Sequence, residues 1–302
     1  MTKDSMITDI AVDYDAGLAR FEPSIIGGRY WPELIYAHET GYRPLGLDLT
    51  VPGGDGRHPL VILIHGGGWF TGHPKITNPV LEGMEISATL IKAGYAVARP
   101  AYRLSDEAIF PAQLHDCKSA IRYLRAHADT LGIDSRRFAA MGESAGGHLA
   151  CMLGLTGQDD TLEGSVGLAG PSSAVQAVIN WYGPTDLLTM DRQSPANAIV
   201  RHDNPYSPEA RLIGGPVQEN PESARRASPL FHVAPRCPPF LIQHGDQDRL
   251  VPIGQARSLA QALENHGVTV QLTELAGGDH CFWGADTASI MLEVIAFLRQ
   301  HL

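Results

Sequence analysis

From about residue 55 onward the hydrophobic positions of this chain alternate between two patterns: short, almost unbroken apolar runs, and longer stretches with apolar residues at helical spacing. The short runs are residues 60–64, 95–99, 138–141, 175–181, 240–243 and 268–272. Parallel strands buried on both faces have this pattern, because helices cover the sheet on either side. The helical stretches, residues 81–93, 114–128, 146–155, 254–264 and 287–302, can each lay one face on that sheet. The alternation predicts an α/β fold with a mostly parallel central sheet and helices on both faces. Upstream, residues 34–36 and 45–49 predict an antiparallel pair leading into the sheet.

One segment breaks the rhythm. Residues 187–235 carry seven prolines, many charges and little sustained periodicity. A connection this long inside a compact domain is usually a lid or a binding loop, and the alternative is a solvated surface excursion. The expected organisation is an N-terminal extension over residues 1–33, then a single domain over 34–302 with a cap-like insertion at about 187–235.

Composition narrows the function classes. With 302 residues, 44% hydrophobic and 19% charged, the chain can bury a large core, which excludes disorder as its main theme. The formal charge of −10 supplies no basic face for phosphates, so neither nucleic acid nor an anionic membrane is an expected partner. Acidic residues stand near the N-terminus where a signal peptide would be basic and then apolar, so export by that route is not expected. Cys117, Cys151, Cys237 and Cys281 form no CxxC pair and read as reduced thiols of a cytoplasmic protein. Thirteen histidines include no HxH or HExxH pattern, so no metal site and no cofactor are expected.

The chemistry concentrates at the ends of the predicted strands. Gly142-Glu143-Ser144-Ala145-Gly146 fits GxSxG, a weak signal alone, but an apolar strand enters it and a helix-forming run leaves it. Small residues at 142, 145 and 146 suit a tight strand-to-helix turn that exposes Ser144 at the carboxyl end of the sheet. A serine hydroxyl needs a base, a group that orients the base, and donors for an oxyanion. His65-Gly66-Gly67-Gly68-Trp69 follows a buried strand and can point backbone N–H groups at a reacting carbonyl; Gly67, Gly68 and Ala145 are the expected donors. His244-Gly245-Asp246-Gln247-Asp248 and Gly277-Gly278-Asp279-His280 each lie just past a strand end, where open α/β sheets place their ligands. The chain order Ser144, Asp248, His280 is the hydrolase order.

Together GESAGG, HGGGW upstream, and HGDQDRLVP and GGDH downstream resemble the α/β-hydrolase fold. Within it they are similar to the HGGG-bearing carboxylesterases of the hormone-sensitive-lipase-like and acetyl- or feruloyl-esterase-like kinds, over about residues 34–302. The resemblance implies Ser144 as nucleophile, His280 as general base and Asp248 as the acid, with Asp246 the fallback. It implies a serine esterase acting through an acyl-enzyme on small to medium acyl groups, with a small-molecule ester as partner; a homo-oligomer stays open. An arylformamidase-like amide hydrolase carries the same machinery, and a non-catalytic binder on this fold is the reading from another class. Because an imidazole must be neutral to accept a proton, activity is expected to fall below about pH 6 to 7. Trp69, Phe70, Trp181, Tyr182, Phe282 and Trp283 flank the motifs and either wall an acyl pocket or pack in the core. Cys281, beside His280, is either a reactive thiol or structural.

Overall fold

The computed structural model describes residues 14–302; residues 1–13 of the expected N-terminal extension lie outside the described residues. The strands are β1 (Glu22–Pro23), β2 (Arg29–Ala37), β3 (Leu45–Val51), β4 (His58–Ile64), β5 (Ala96–Pro100), β6 (Ile133–Glu143), β7 (Ala177–Trp181), β8 (Phe240–Gly245) and β9 (Val270–Leu275). They form one sheet in the order β1-β2-β3-β5-β4-β6-β7-β8-β9. From β5 across to β9 every neighbouring pair is parallel, so the six expected parallel strands are all present. The expected antiparallel pair is β2 with β3, which then pairs antiparallel with β5. Residues 29–33, expected in the extension, already belong to β2.

The helices are α1 (Pro79–Gly83), α2 (Ile86–Lys92), α3 (Ala112–Ala126), α4 (Ala128–Leu131), α5 (Ala145–Leu155), α6 (Met190–Gln193), α7 (Pro208–Ile213), α8 (Pro221–Arg226), α9 (Gly254–Asn265) and α10 (Ile290–His301). Side chains alternate across each strand, so Leu60, Ile62 and Ile64 of β4 join one buried cluster with α3 and α5, while Val61 joins another with α2 and α10. None of the described helices is long and apolar enough to cross a membrane.

Two expectations change, and one open alternative closes. The helix expected over 81–93 is two helices: Asn78 caps α1 through its side chain, and Glu85 at φ 45° turns the chain before α2. β9, at the edge of the sheet, is not buried on both faces: Gln271 and Glu274 are exposed and only Leu275 is fully buried. Residues 187–235 are not a solvated excursion: they hold α6, α7 and α8 and bury Leu187, Met190, Leu212, Val217 and Ala224. Periodicity misses these elements because each helix has six residues or fewer. Backbone bonds from Phe110 N–H to Leu212 O (2.7 Å) and from Leu230 N–H to Thr185 O (2.9 Å) fasten the insertion to the sheet domain.

Candidate active site

β6 ends at Glu143 and α5 begins at Ala145, so Ser144 occupies the turn between them, at φ 53° and ψ −120°. A positive φ is costly for a residue with a Cβ, and the surroundings must hold it. Ser144 N–H donates to Trp181 O at 2.8 Å, and Ser144 O accepts from His148 N–H at 3.0 Å. The turn is tight enough that backbone packs on backbone. A Cβ at Gly142 would lie 2.2 Å from Gly146 O, and one at Gly146 would lie 2.1 Å from Ile64 O. These contacts explain why both positions are glycine and press the start of α5 against the end of β4.

β4 leads into Gly66, Gly67 and Gly68. Gly66 N–H donates to Glu143 Oε1 at 2.6 Å, and Thr71 N–H closes the loop onto Gly67 O at 3.0 Å. Gly67 and Gly68 have φ of 104° and 59°, and a Cβ on Gly67 would strike Thr71 O at 2.3 Å. The N–H groups of Gly67, Gly68 and Ala145 make no hydrogen bond among the described residues and line the same cavity as Ser144. Burial raises the Glu143 carboxyl above its ordinary range, against the lowering effect of the Gly66 N–H.

The loops after β8 and β9 bring the other two groups. His280 Nε2 lies 3.1 Å from Ser144 Oγ, and His280 Nδ1 lies 2.8 Å from Asp248 Oδ2. Asp248 Oδ1 accepts the N–H groups of Leu250 and Val251, both at 2.8 Å. Burial raises the Asp248 carboxyl, but hydrogen bonds from His244 and His280 outweigh it and hold the group well below the usual carboxylate range. His244 Nε2 also lies 2.8 Å from Val251 O, so the acid loop is tied to the end of β8. Asp246, the fallback, instead accepts Gly277 N–H at 2.8 Å. The geometry therefore offers a hydroxyl, an imidazole within proton-transfer reach, a carboxylate fixing that imidazole, and unpaired N–H donors beside the hydroxyl.

The aromatic residues divide. Trp69 and Phe70 line the cavity, whose volume is about 560 Å³. Trp181 does not: its ring lies in the buried cluster on the α10 side of the sheet, with its N–H donated to Gln243 Oε1 at 2.7 Å. Phe282 is in the same cluster, edge-on to Trp181 with ring centres 5.4 Å apart. Tyr182 is buried edge-on against the His280 ring at 4.8 Å and backs the imidazole instead of lining the cavity. Trp283 is 57% exposed and is not part of the cavity wall. A strand-end or loop aromatic cannot be assigned to a face until the neighbouring elements are placed, which is why the sequence leaves pocket wall and core both open for these four. Burial pushes the Cys281 thiol up to about 12, so it stays protonated beside His280.

Sequence reasoning missed His148. On α5, one turn after Ser144, it is wholly buried; its Nδ1 accepts the Trp69 indole N–H at 3.1 Å and its Nε2–H donates to Ala227 O at 2.6 Å. Burial lowers its pKa to about 4, so it is the neutral ring that joins the glycine loop to the insertion. A single polar residue inside the apolar run after the turn was the available signal.

The sheet order, the serine turn and the residues at the strand ends define an α/β-hydrolase. The chain belongs to the BD-FAE family, whose model matches residues 47–263. It is 31% identical over 246 residues to Esterase LipC of Mycobacterium tuberculosis, covering 80% of this chain and 58% of that protein. It is 30% identical to Ethyl acetate hydrolase of Pseudomonas putida, covering 86% of this chain and 77% of that one. Among solved structures, a truncated carbohydrate esterase from gut microbiota superposes with a TM-score of 0.80 at 32% identity, over 92% of this chain and 99% of that chain. The chain thus spans little more than half the length of LipC.

Proposed function

We propose that the protein hydrolyses carboxylic esters of small to medium acyl groups through a covalent acyl-enzyme on Ser144. The observation that carries this reading is the hydrogen-bonded chain from Asp248 through His280 to Ser144 Oγ, ending in a cavity edged by the unpaired N–H groups of Gly67, Gly68 and Ala145. His280 Nε2 accepts the Ser144 proton as Oγ attacks the ester carbonyl. The carbonyl oxygen, now an oxyanion, is held by the three N–H groups. Asp248 keeps the hydrogen on Nδ1 and stabilises the imidazolium that forms. His280 then protonates the leaving alkoxide, the acyl group stays on Oγ, and a water deprotonated by His280 releases the acid.

The size of the cavity, about 560 Å³, suits a small molecule. Phe70, Ile76, Val200 and Leu250 in its wall favour an apolar acyl chain over a charged one. The named activities of LipC and Ethyl acetate hydrolase support ester over amide as the bond cleaved.

Steady-state hydrolysis of p-nitrophenyl esters from acetate to decanoate tests the reading, with Ser144→Ala as control. Turnover of the short chains that is lost in the variant is the expected result. Turnover of N-formyl aryl amides alone would replace ester with amide hydrolysis, and binding of esters with no turnover would make the protein a binder.

A further inference from the structure

Beyond Ser144, His280 and Asp248, one buried ionisable pair reaches the same cavity. His202 and Glu209 of the insertion are 2% and 3% exposed, and both are part of the cavity wall. His202 Nδ1 lies 2.9 Å from Glu209 Oε1, and His202 Nε2 lies 3.0 Å from the carbonyl oxygen of Leu250. Both ring nitrogens face acceptors, an arrangement satisfied when each carries a hydrogen and the carboxylate balances the charge. Burial by itself would lower the imidazole pKa, but the Glu209 carboxylate, with Asp191 nearby, raises it instead. Asp191 at the start of α6 also accepts the backbone N–H of His202 at 2.9 Å and of Asp203 at 3.0 Å, so the turn is held from a second side.

The carbonyl that His202 reaches belongs to the loop carrying Asp248. Leu250 N–H is one of the two donors to Asp248 Oδ1, and Ile199 N–H donates to Arg249 O at 3.1 Å. The insertion is therefore hydrogen-bonded at two adjacent residues of the acid loop. An unbroken path runs from Glu209 through His202, the Leu250–Val251 peptide (Leu250 O and Val251 N–H), Asp248 and His280 to Ser144 Oγ.

Resting on the ester-hydrolase reading of Ser144, we propose that His202, oriented by Glu209, is a positioning residue for Asp248. It holds the Leu250–Val251 peptide by its carbonyl so that the Val251 N–H, beside that of Leu250, meets Asp248 Oδ1, which leaves Oδ2 directed at His280 Nδ1. Because His202 and Glu209 also form cavity wall, substrate packs against the arm that sets the acid. The insertion then takes part in catalysis as well as covering the site.

Two polar variants separate this role from simple anchoring. In His202→Gln the side-chain amide nitrogen reaches the place of Nε2 and keeps the bond to Leu250 O; in His202→Asn it reaches only the place of Nδ1. With p-nitrophenyl acetate and rates counted per site titrated by a serine-directed phosphonate, His202→Gln, which keeps the bond to Leu250 O and gives up the one to Glu209, should lose several-fold less kcat than His202→Asn. His202→Asn should lose about tenfold or more in kcat with little change in KM, the size expected of a mispositioned reacting group. The acid limb of its kcat/KM profile should move to lower pH, because a carboxylate less well aimed at His280 stabilises the imidazolium less. Counting titrated sites removes any unfolded fraction. Glu209→Leu, which frees the His202 ring without replacing it, should lose kcat and shift the limb in the same direction. Equal losses in the Gln and Asn variants, or losses in KM alone with the acid limb unmoved, would overturn the positioning role while the ester reading stands. A wild type that turns over no ester overturns the ester reading and the positioning role with it.

Discussion

Replacing Gly146 with alanine probes how the serine turn and the glycine loop are held in register. The backbone at Gly146 is not in the left-handed region, and helix propensity alone favours alanine there by about 1 kcal/mol. The obstacle is space. The new methyl would lie 2.1 Å from Ile64 O and 2.7 Å from His65 O, both backbone atoms that cannot swing aside as a side chain would. Real Cβ atoms do not come closer than 3.0 Å, so the start of α5 and the end of β4 must part by about 0.9 Å. One of these pieces carries Ser144 and the Ala145 N–H, and the other leads directly into Gly67 and Gly68. Overpacking of this kind costs about 1–3 kcal/mol, which the propensity gain partly offsets, so the net loss of stability should be about 2 kcal/mol or less. Activity should suffer more: a displacement of about 1 Å between reacting groups can cost about 100-fold, or about 2.7 kcal/mol in the barrier. Urea unfolding and kcat/KM for p-nitrophenyl acetate, per phosphonate-titrated site, measure the two losses. An alanine variant with normal stability and kcat/KM within about threefold of wild type would refute the reasoning, since the turn would then have room that the backbone contacts deny.

Four further outcomes follow from the site. Asp248→Asn should lower kcat by about 10³- to 10⁴-fold, because the amide favours the wrong imidazole tautomer. The same variant tests the depressed carboxyl: its folded-state pKa lies below the unfolded value, so its stabilisation is present above about pH 4 and is lost as pH falls through the folded value. The stability difference between wild type and Asp248→Asn, read by urea unfolding, should therefore narrow from about pH 5 to about pH 2. His148→Leu leaves the Trp69 N–H and the Ala227 carbonyl buried without partners and should cost about 2–4 kcal/mol of unfolding free energy; a loss below about 0.5 kcal/mol would mean that His148 does not join the loop to the insertion. Cys281, partly buried and with its thiol pushed up to about 12, should resist iodoacetamide at pH 8, and labelling as fast as a free thiol would contradict the raised pKa.

The features legible in the sequence are those fixed by strong local chemistry. β4, the second half of β6 and the start of β8 are short apolar runs with glycine just beyond them, so both the strands and the groups at their ends could be read directly. The Ser144 turn announced itself through Gly142 and Gly146, whose missing side chains the backbone contacts require. The family resemblance points to Asp248 over Asp246, and in the structure Asp248 Oδ2 lies 2.8 Å from His280 Nδ1 while Asp246 accepts Gly277 N–H. Features that depend on where distant segments meet could not be read. Trp181 and Phe282 share a face only because β7 and the loop after β9 are brought together over α10. The helices of the insertion are too short to show a period, and their order comes from bonds to residues such as Phe110, Thr185 and Leu250 far away in sequence. His148, His202 and Glu209 acquire their roles in the same way, since each has partners more than one turn distant or on another element.

The proposed reaction turns on the covalent step at Ser144. The most direct measurement is mass spectrometry of the protein mixed with p-nitrophenyl acetate and quenched in acid within the first turnovers. An acetyl group is expected on the peptide containing Ser144, absent from Ser144→Ala and accumulating in Asp248→Asn only as fast as that variant turns over. Ester hydrolysis that proceeds undiminished in Ser144→Ala, or an acetyl group carried by any other residue in step with turnover, would contradict that step.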